Sequence, residues 1–276
     1  MEKEKYQMGY SEELLKALSN RSVSYEAAHI AKLIRPGMNV LDLGCGPGSM
    51  TLDFAELVQT GQVTGLDIND RQFERPRTLA KERGLNNIEF RCGDAYALPF
   101  DDNAFDIVTE NAMLMHLSEP NAAIAEMKRV LKPGGYVGLR DLYLSGSMIY
   151  SSAPCPTKGG FQRINSIQAE VQGQEGADFD AGIKHRLWLK TAGFVDVEAG
   201  VSPTVLASDE QWQGAIKNAR LSAQNWKRIS QEAIGLGLLT PDEASEYKAW
   251  QDGLRSDPAA INVRMWFHTT GQKPQP

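Results

Sequence analysis

The sequence predicts an α/β fold, a parallel sheet with helices on both of its faces. Short apolar runs and runs of helical spacing take turns from residue 40 to residue 139. The first apolar run, in LDLGCGPGSM (41–50), stops on glycines spaced GxGxG, as a strand does where it turns into a helix. Each apolar run is parted from the next by a segment long enough to cross the sheet, and parallel neighbours require such crossovers.

Taken in order, Val40–Leu43 is a strand closed by Gly44, and Met50, Phe54, Leu57 and Val58 mark a helix after it. Val63–Asp67 is the second strand, 70–83 a charged helix and Ile88–Cys92 the third strand. Pro76 falls inside that charged helix, where a missing N–H costs up to about 3 kcal/mol, so a kink or a late start is expected. Asp106–Thr109 is the fourth strand; Ile124, Met127, Val130 and Leu131 line one face of a helix that ends at Lys132-Pro133-Gly134-Gly135. Tyr136–Leu139 is the fifth strand. Residues 145–182, rich in Ser, Gly, Pro and Gln, predict a loop-bearing insertion with one helix at 160–171. A helix at 181–191 stops at Gly193, Phe194–Ala199 alternates like a strand, and 208–256 are helical in pieces broken at Gly235, Gly237 and Pro241. Asn262–Phe267 reads as the last strand.

Composition narrows the function. The 276 residues are 42% hydrophobic and 23% charged, ordinary for one globular domain with an elaboration. Twenty-nine basic against thirty-five acidic residues give a net charge of −6 with no basic run, which argues against a nucleic-acid partner. The N-terminus has no apolar h-region and no stretch of roughly 18 apolar residues occurs, so no membrane span and a cytoplasmic location are expected. Cys45, Cys92 and Cys155 lie far apart without a CxxC pair, so neither a disulfide framework nor a metal site is indicated.

Ligands of open α/β sheets bind at the carboxyl ends of the strands. Gly44, Gly46 and Gly48 stand there, with a helix N-terminus beyond them. Ser49 stands just after the last of them, GxGxxG is not completed, and no Lys follows as in a nucleotide-phosphate loop. The bare backbone therefore admits a ligand that need not be a phosphate. Asp67, 19 residues beyond Gly48, can accept from both hydroxyls of a ribose, a logic that NAD sites share. At the end of the third strand, Asp94 can accept from an adenine amino group and Ala95 can offer its N–H. Asp67 and Asp94 read alternatively as helix-capping carboxylates.

VLDLGCGPG, VTGLDI, FRCGDAYALPFDDNAFDIV and MKRVLKPGGYV, in this order and spacing, resemble the class I S-adenosylmethionine-dependent methyltransferases. The branch they look like holds the ubiquinone/menaquinone-biosynthesis C-methyltransferases and many small-molecule methyltransferases. The resemblance covers 35–141 and, more loosely, LKTAGFVDVEAG; residues 201–276 match only in general layout. It implies a Rossmann-like seven-stranded sheet of order 3-2-1-4-5-7-6 with strand 7 antiparallel. It also implies S-adenosyl-L-methionine as cofactor and S-adenosyl-L-homocysteine as product. The methionine part would lie on Asp42, Gly44, Cys45, Gly46 and Gly48, the ribose on Asp67 with Ile68, the adenine on Asp94 and Ala95, and Asn111 near the methionyl end. One domain over 1–276 follows, divided into an N-terminal helical lid (1–34), a cofactor core (35–141) and substrate-cover insertions (142–180 and 201–260).

The acceptor is less constrained. His116, near the mouth of the fourth strand, is the candidate general base, though a hydrogen-bonded structural histidine fits as well; His29, His185 and His268 are weaker candidates. Aromatic residues such as Tyr6, Tyr10, Tyr143, Tyr150, Phe161, Trp212 and Trp226 wall a pocket or simply fill a core. Glu110-Asn111-Ala112-Met113 lacks the Pro-Pro-aromatic run of amino-methyltransferases acting on bases, and only Cys155 lies outside the cofactor motifs, which disfavours arsenite. A small organic acceptor remains, and a homodimer is left open. The rivals are a cyclisation on the same cofactor, a non-catalytic cofactor-binding module, and an NAD-dependent oxidoreductase.

Overall fold

A computed structural model describes residues 12–208, 211 and 219–276. Three short helices, α1 (Glu12–Leu18), α2 (Val23–Glu26) and α3 (Ala28–Ala31), precede β1 (Val40–Leu43). Then come α4 (Ser49–Val58), β2 (Val63–Asp67), α5 (Glu74–Glu82), β3 (Ile88–Cys92), β4 (Phe105–Glu110), α6 (Pro120–Val130) and β5 (Leu131–Tyr150). The chain continues through α7 (Gly160–Gly173), α8 (Ala181–Thr191), β6 (Val195–Val201) and β7 (Thr204–Leu206), then the helices Ala219–Gly235 and Pro241–Gly253, and closes on β8 (Ile261–Gln272).

The sheet runs β3-β2-β1-β4-β5-β8-β6, with β7 added beside β8. β1 to β5 are parallel, and β8 is antiparallel to both β5 and β6. The expected order is thus found with one extra short strand. Successive strand residues face opposite sides. Val40, Val63 and Ile107 meet Phe54 and Val58 of α4 on one face, while Leu41, Leu43 and Val108 meet Ile124 and Met127 of α6 on the other. Burial on both faces is why these strands read as continuous apolar runs.

Four expectations change. Residues 70–83 form a 3₁₀ turn and then α5, which starts late enough that Pro76 sits in its first turn, where the missing N–H has no helical partner to lose. Leu57 is 41% exposed, so the buried face of α4 is Met50, Leu52, Phe54, Ala55 and Val58 instead. β5 does not stop at Leu139 but crosses the expected boundary at 141–142 and pairs with β8 as far as Tyr150 and Ile261. Its polar Ser145-Gly146-Ser147 stretch is an irregularity in that pairing, in which the Ser147 hydroxyl accepts from Met265 N at 3.1 Å and donates to Tyr143 O. Finally, residues 23–34, expected in a lid, supply Val23, Ala27, Ile30 and Ile34 to the core against α4 and β1.

The segments expected as a substrate cover form a separate apolar cluster. Ile164, Ile167 and Val171 of α7 pack with Trp226, Ile229 and Tyr247 of the two later helices. The second of these helices begins as its sequence dictates: Pro241 takes the first turn, and Thr240 and Glu243 exchange hydrogen bonds in a capping box. Tyr6, Tyr10 and Trp212 lie outside the described residues, as does the start of the expected lid. Among the described residues no helix is long and apolar enough to cross a membrane.

Candidate active site

The strand order puts the carboxyl ends of β3, β2, β1 and β4 side by side, so Asp94, Asp67, the glycine loop and Asn111 follow one another along one edge. Three strand spacings make that row about 14 Å long. A cleft of about 1140 Å³, counting its open mouth, runs along it. Asp42, Gly44, Cys45, Gly46, Asp67, Ile68, Asp94, Ala95, Asn111 and His116 all line it.

Gly48 is not among the lining residues. It caps α4 with φ +73°, and a Cβ there would stand 2.7 Å from the Phe90 ring and 2.8 Å from Pro76. Its bareness lets α4 approach β3 and α5, which gives Pro76 a packing role as well. Gly44, at φ +71°, faces the cleft and backs onto Met113, whose Cγ would lie 2.5 Å from an added Cβ. Gly46, at φ +52°, has open space around it, with only Gln72 Oε1 at 3.7 Å.

The loop is held from below. Gly44 and Cys45 donate to Leu66 O at 2.7 and 3.1 Å, and Gly46 donates to Asp67 Oδ2 at 2.9 Å. Asp67 Oδ1 accepts from Asn69 N at 3.0 Å and the Ile68 N–H also acts on the carboxylate, which keeps acceptor capacity for a hydroxyl donor. Burial raises the Asp67 carboxyl against the pull of these N–H donors. Asp42 lies underneath, accepting from Thr51 Oγ1 at 2.6 Å, and burial pushes it up to about 6. Desolvation also holds the Cys45 thiol well above its ordinary range, so it is no nucleophile. Asp94 accepts from Tyr96 N at 2.9 Å in an Asx turn that shapes the third strand's end.

The other end of the cleft is built differently. Ala112, a non-glycine residue at φ +57°, bends the chain after β4, and its N–H donates to Arg140 O at 2.7 Å. Buried Asn111 sits between two guanidinium groups: Arg21 Nη1 reaches its carbonyl oxygen at 3.5 Å and Arg140 Nη1 its side-chain Oδ1 at 3.4 Å. The Arg140 guanidinium also lies 4.4 Å over the Trp266 ring. His116 packs edge-on against Phe179 at 5.4 Å, and desolvation followed by Arg21 lowers its imidazole to about 4. It is therefore neutral at pH 7.

Arg21, Gln72, Tyr96 and Met113 line the cleft without having been singled out as cofactor residues. Only Met113 left a signal, the bare glycine it faces. The donor set fits a nucleoside joined to an amino acid: carboxylates and a backbone turn at one end, an amide and a guanidinium at the other. Asp67 and Asp94 would hold S-adenosylmethionine's ribose and base, and the loop at Gly44 and Gly46 its methionine part, with Asn111 and Arg21 beside the amino-acid end.

A model of a methyltransferase domain family matches residues 34–180. An uncharacterised methyltransferase of Schizosaccharomyces pombe is 30% identical over 257 residues, 89% of this chain and 87% of that protein. The ubiquinone/menaquinone biosynthesis C-methyltransferase UbiE of Shewanella pealeana is 48% identical over 103 residues, which are 37% of this chain and 41% of that relative's length. The solved structure of the YcgJ protein of Bacillus subtilis shares the fold, with a TM-score of 0.62 and 21% identity over 91% of this chain and 99% of that one.

Proposed function

We propose, from the premise that the chain belongs to the methyltransferase domain family and depends on S-adenosyl-L-methionine, that it methylates a small, electron-rich organic acceptor without help from a strong base. Membership rests on the family match and on the yeast relative. The observation that carries the acceptor class is the chemistry around the Asn111 end of the cleft. Its one imidazole among the described lining residues, His116, has its proton affinity lowered. Glu110 and Asp141, whose carboxyls burial pushes up to about 8 and about 7, lie behind the wall and do not line the cleft. A hydroxyl acceptor needs a base matched to the working pH, whereas an enol-like carbon or an amine does not. The name of the Shewanella relative, a C-methyltransferase, supports a carbon acceptor.

When bound, the cofactor supplies an electrophilic methyl group on a sulfonium. The chain's residues do the rest by placement. Asp67 and Asp94 hold the nucleoside, the loop at Gly44 and Gly46 lets the methionine part lie against the backbone, and Asn111 with Arg21 fixes its amino-acid end. Leu15 and Leu18 of α1 face the cleft, and we assign this helix the part of a lid that keeps water out. Orientation of this kind accounts for about 7 to 11 kcal/mol of barrier lowering in favourable cases. The acceptor enters beside His116, Ala112 and Met113, which line that end of the cleft. A nucleic acid is not the expected partner, and the three scattered cysteines fit a reducing compartment such as the cytoplasm.

Calorimetric titration with S-adenosyl-L-homocysteine, with NAD as control, tests this reading. Micromolar binding is expected, and Asp67→Ala is expected to weaken it by about tenfold or more, since even one hydrogen bond to a charged group is worth about 1.5–3 kcal/mol. Transfer of a labelled methyl group to carbon or nitrogen acceptors then completes the assignment. Binding of NAD alone overturns it; cofactor binding with no transfer to any acceptor points to the non-catalytic or cyclising rivals.

A further inference from the structure

Three buried ionisable groups behind the cleft have no part in holding the cofactor. Glu110 ends β4, Asp141 lies in β5 and His185 in α8; all three are buried, and their ligand atoms lie within 4.8 Å of one another. Their hydrogen bonds go to one place. Glu110 Oε2 accepts from Met113 N at 3.0 Å and from Leu114 N at 3.3 Å, while its Oε1 accepts from Arg140 N at 2.8 Å. Asp141 Oδ1 accepts from Met115 N at 3.3 Å, and its Oδ2 pairs with His185 Nε2 at 2.9 Å. Three successive backbone N–H groups of the turn Leu114–His116 and its approach are therefore tied to carboxylates from two different strands. That turn carries the acceptor-side wall, Asn111 to His116.

We infer that Glu110, Asp141 and His185 form a proton-sharing clamp that fixes the segment Asn111–His116 and so sets the position of the wall against which cofactor and acceptor meet. The inference rests on the methyl-transfer reading for the identity of that wall, but not for the clamp itself. All three are positioning residues: none touches the cleft, and each acts through the backbone of residues 113–115.

The charges around the clamp explain why a proton is shared. Two carboxylates this close repel, and burial raises both, Glu110 further than Asp141. His185 is lowered to about 4 by burial, so the ring is neutral and a single hydrogen lies between its Nε2 and Asp141 Oδ2. The groups facing the clamp divide in sign. Arg140 on β5 and Arg21 from the N-terminal segment favour the ionised Asp141, and Asp178, ahead of α8, opposes it while pairing with Lys184. As pH rises through 7 to 8 the second carboxylate ionises, the pair repels, and the wall loosens.

Amide hydrogen exchange and S-adenosyl-L-homocysteine affinity, followed from pH 6 to 9 on the full chain, test this. In wild-type protein the affinity is expected to fall severalfold between pH 7 and 8. Glu110→Gln and Asp141→Asn each replace an acceptor oxygen by NH₂, so each is expected to lose about tenfold in affinity at pH 6.5 and to lack the step at pH 7–8. Exchange should rise at Met113 and Leu114 in the first variant and at Met115 in the second, with Val40–Leu43 unchanged. His185→Gln, which keeps a donor for Asp141, should recover what His185→Phe loses; this pair serves if the carboxylate variants do not fold. Loss of affinity by the same factor at every pH, or unchanged exchange at 113–115, overturns the clamp. Wild-type protein that binds no S-adenosyl-L-homocysteine overturns the cofactor reading instead, and the exchange data then judge the clamp alone.

Discussion

The two ends of the cleft are made by different means. At the end we assign to the nucleoside and the glycine loop, called the nucleoside end, each hydrogen bond comes from a short stretch at a strand's tip: Gly44 to Gly46 after β1, Asp67 and Asn69 after β2, Asp94 and Tyr96 after β3. At the acceptor end, Asn111 to His116 are held by Glu110, Arg140, Asp141 and His185, drawn from three elements, with Arg21 and Trp266 close by. The first end is local chemistry on a rigid sheet. The second is assembled in three dimensions, and the expected cover has an apolar core of its own, none of whose residues lines the cleft. The largest effect should show whether the sheet and the cluster of α7 with the two later helices stand as separate units.

Trp226→Ala removes a buried aromatic that lies 4.5 Å from the Tyr247 ring in the cover cluster. Truncation of such a side chain costs about 3–5 kcal/mol. If cover and sheet are distinct, the loss appears in denaturant unfolding as a cover transition preceding the main one, while affinity for S-adenosyl-L-homocysteine falls less than about threefold. A single transition shifted as a whole would mean that the two regions fold as one unit.

The glycine loop sharpens the contrast within the nucleoside end. Gly48→Ala adds a methyl group 2.7 Å from Phe90 and 2.8 Å from Pro76 at φ +73°. Overpacking and left-handed strain together should cost about 2–4 kcal/mol of stability. Gly46→Ala meets no heavy atom closer than 3.7 Å, so only the conformational cost of about 1–2 kcal/mol remains, but its methyl group faces the cleft. Thermal unfolding and calorimetry should therefore rank the two in opposite orders: Gly48→Ala the less stable, Gly46→Ala the weaker binder.

How much of this was legible follows from the same contrast. Strands β1, β2 and β4 could be read because both faces are buried, the edge strand β3 buries only Phe90, and all four end on Gly or a polar residue; nine of the ten expected cofactor residues line the cleft. Gly48 misled because a glycine that admits a neighbouring ring looks the same in sequence as one that admits a ligand. The far half of β5 was unreadable because Ser145-Gly146-Ser147 has the composition of a loop, and only its pairing with β8 makes it a strand. The clamp was invisible for a stronger reason. Glu110, Asp141 and His185 are distant in sequence, and His185 had no local feature to raise it above His116.

Titration probes the acceptor end most gently. Glu110 at about 8, Asp141 at about 7 and Asp42 at about 6 are all raised in the folded chain by burial. Their contribution is fully present below about pH 4 and is lost as pH rises through these values, because the folded state holds protons the unfolded chain has released. His29, lowered to about 3, and His116 and His185, each lowered to about 4, act in the other direction. Their contribution is present above about 6.5 and lost as pH falls toward 3 to 4. Above pH 6.5 the histidines have nothing left to add, so stability should decline by about 1–2 kcal/mol per pH unit up to pH 8. Urea midpoints at pH 6.5, 7.2 and 8 measure that slope. Glu110→Gln should flatten it while Asp42→Asn leaves it nearly unchanged, since Asp42 has released its proton by then. A slope that persists in Glu110→Gln would move the titration away from the clamp and leave the acceptor end no more pH-sensitive than the nucleoside end.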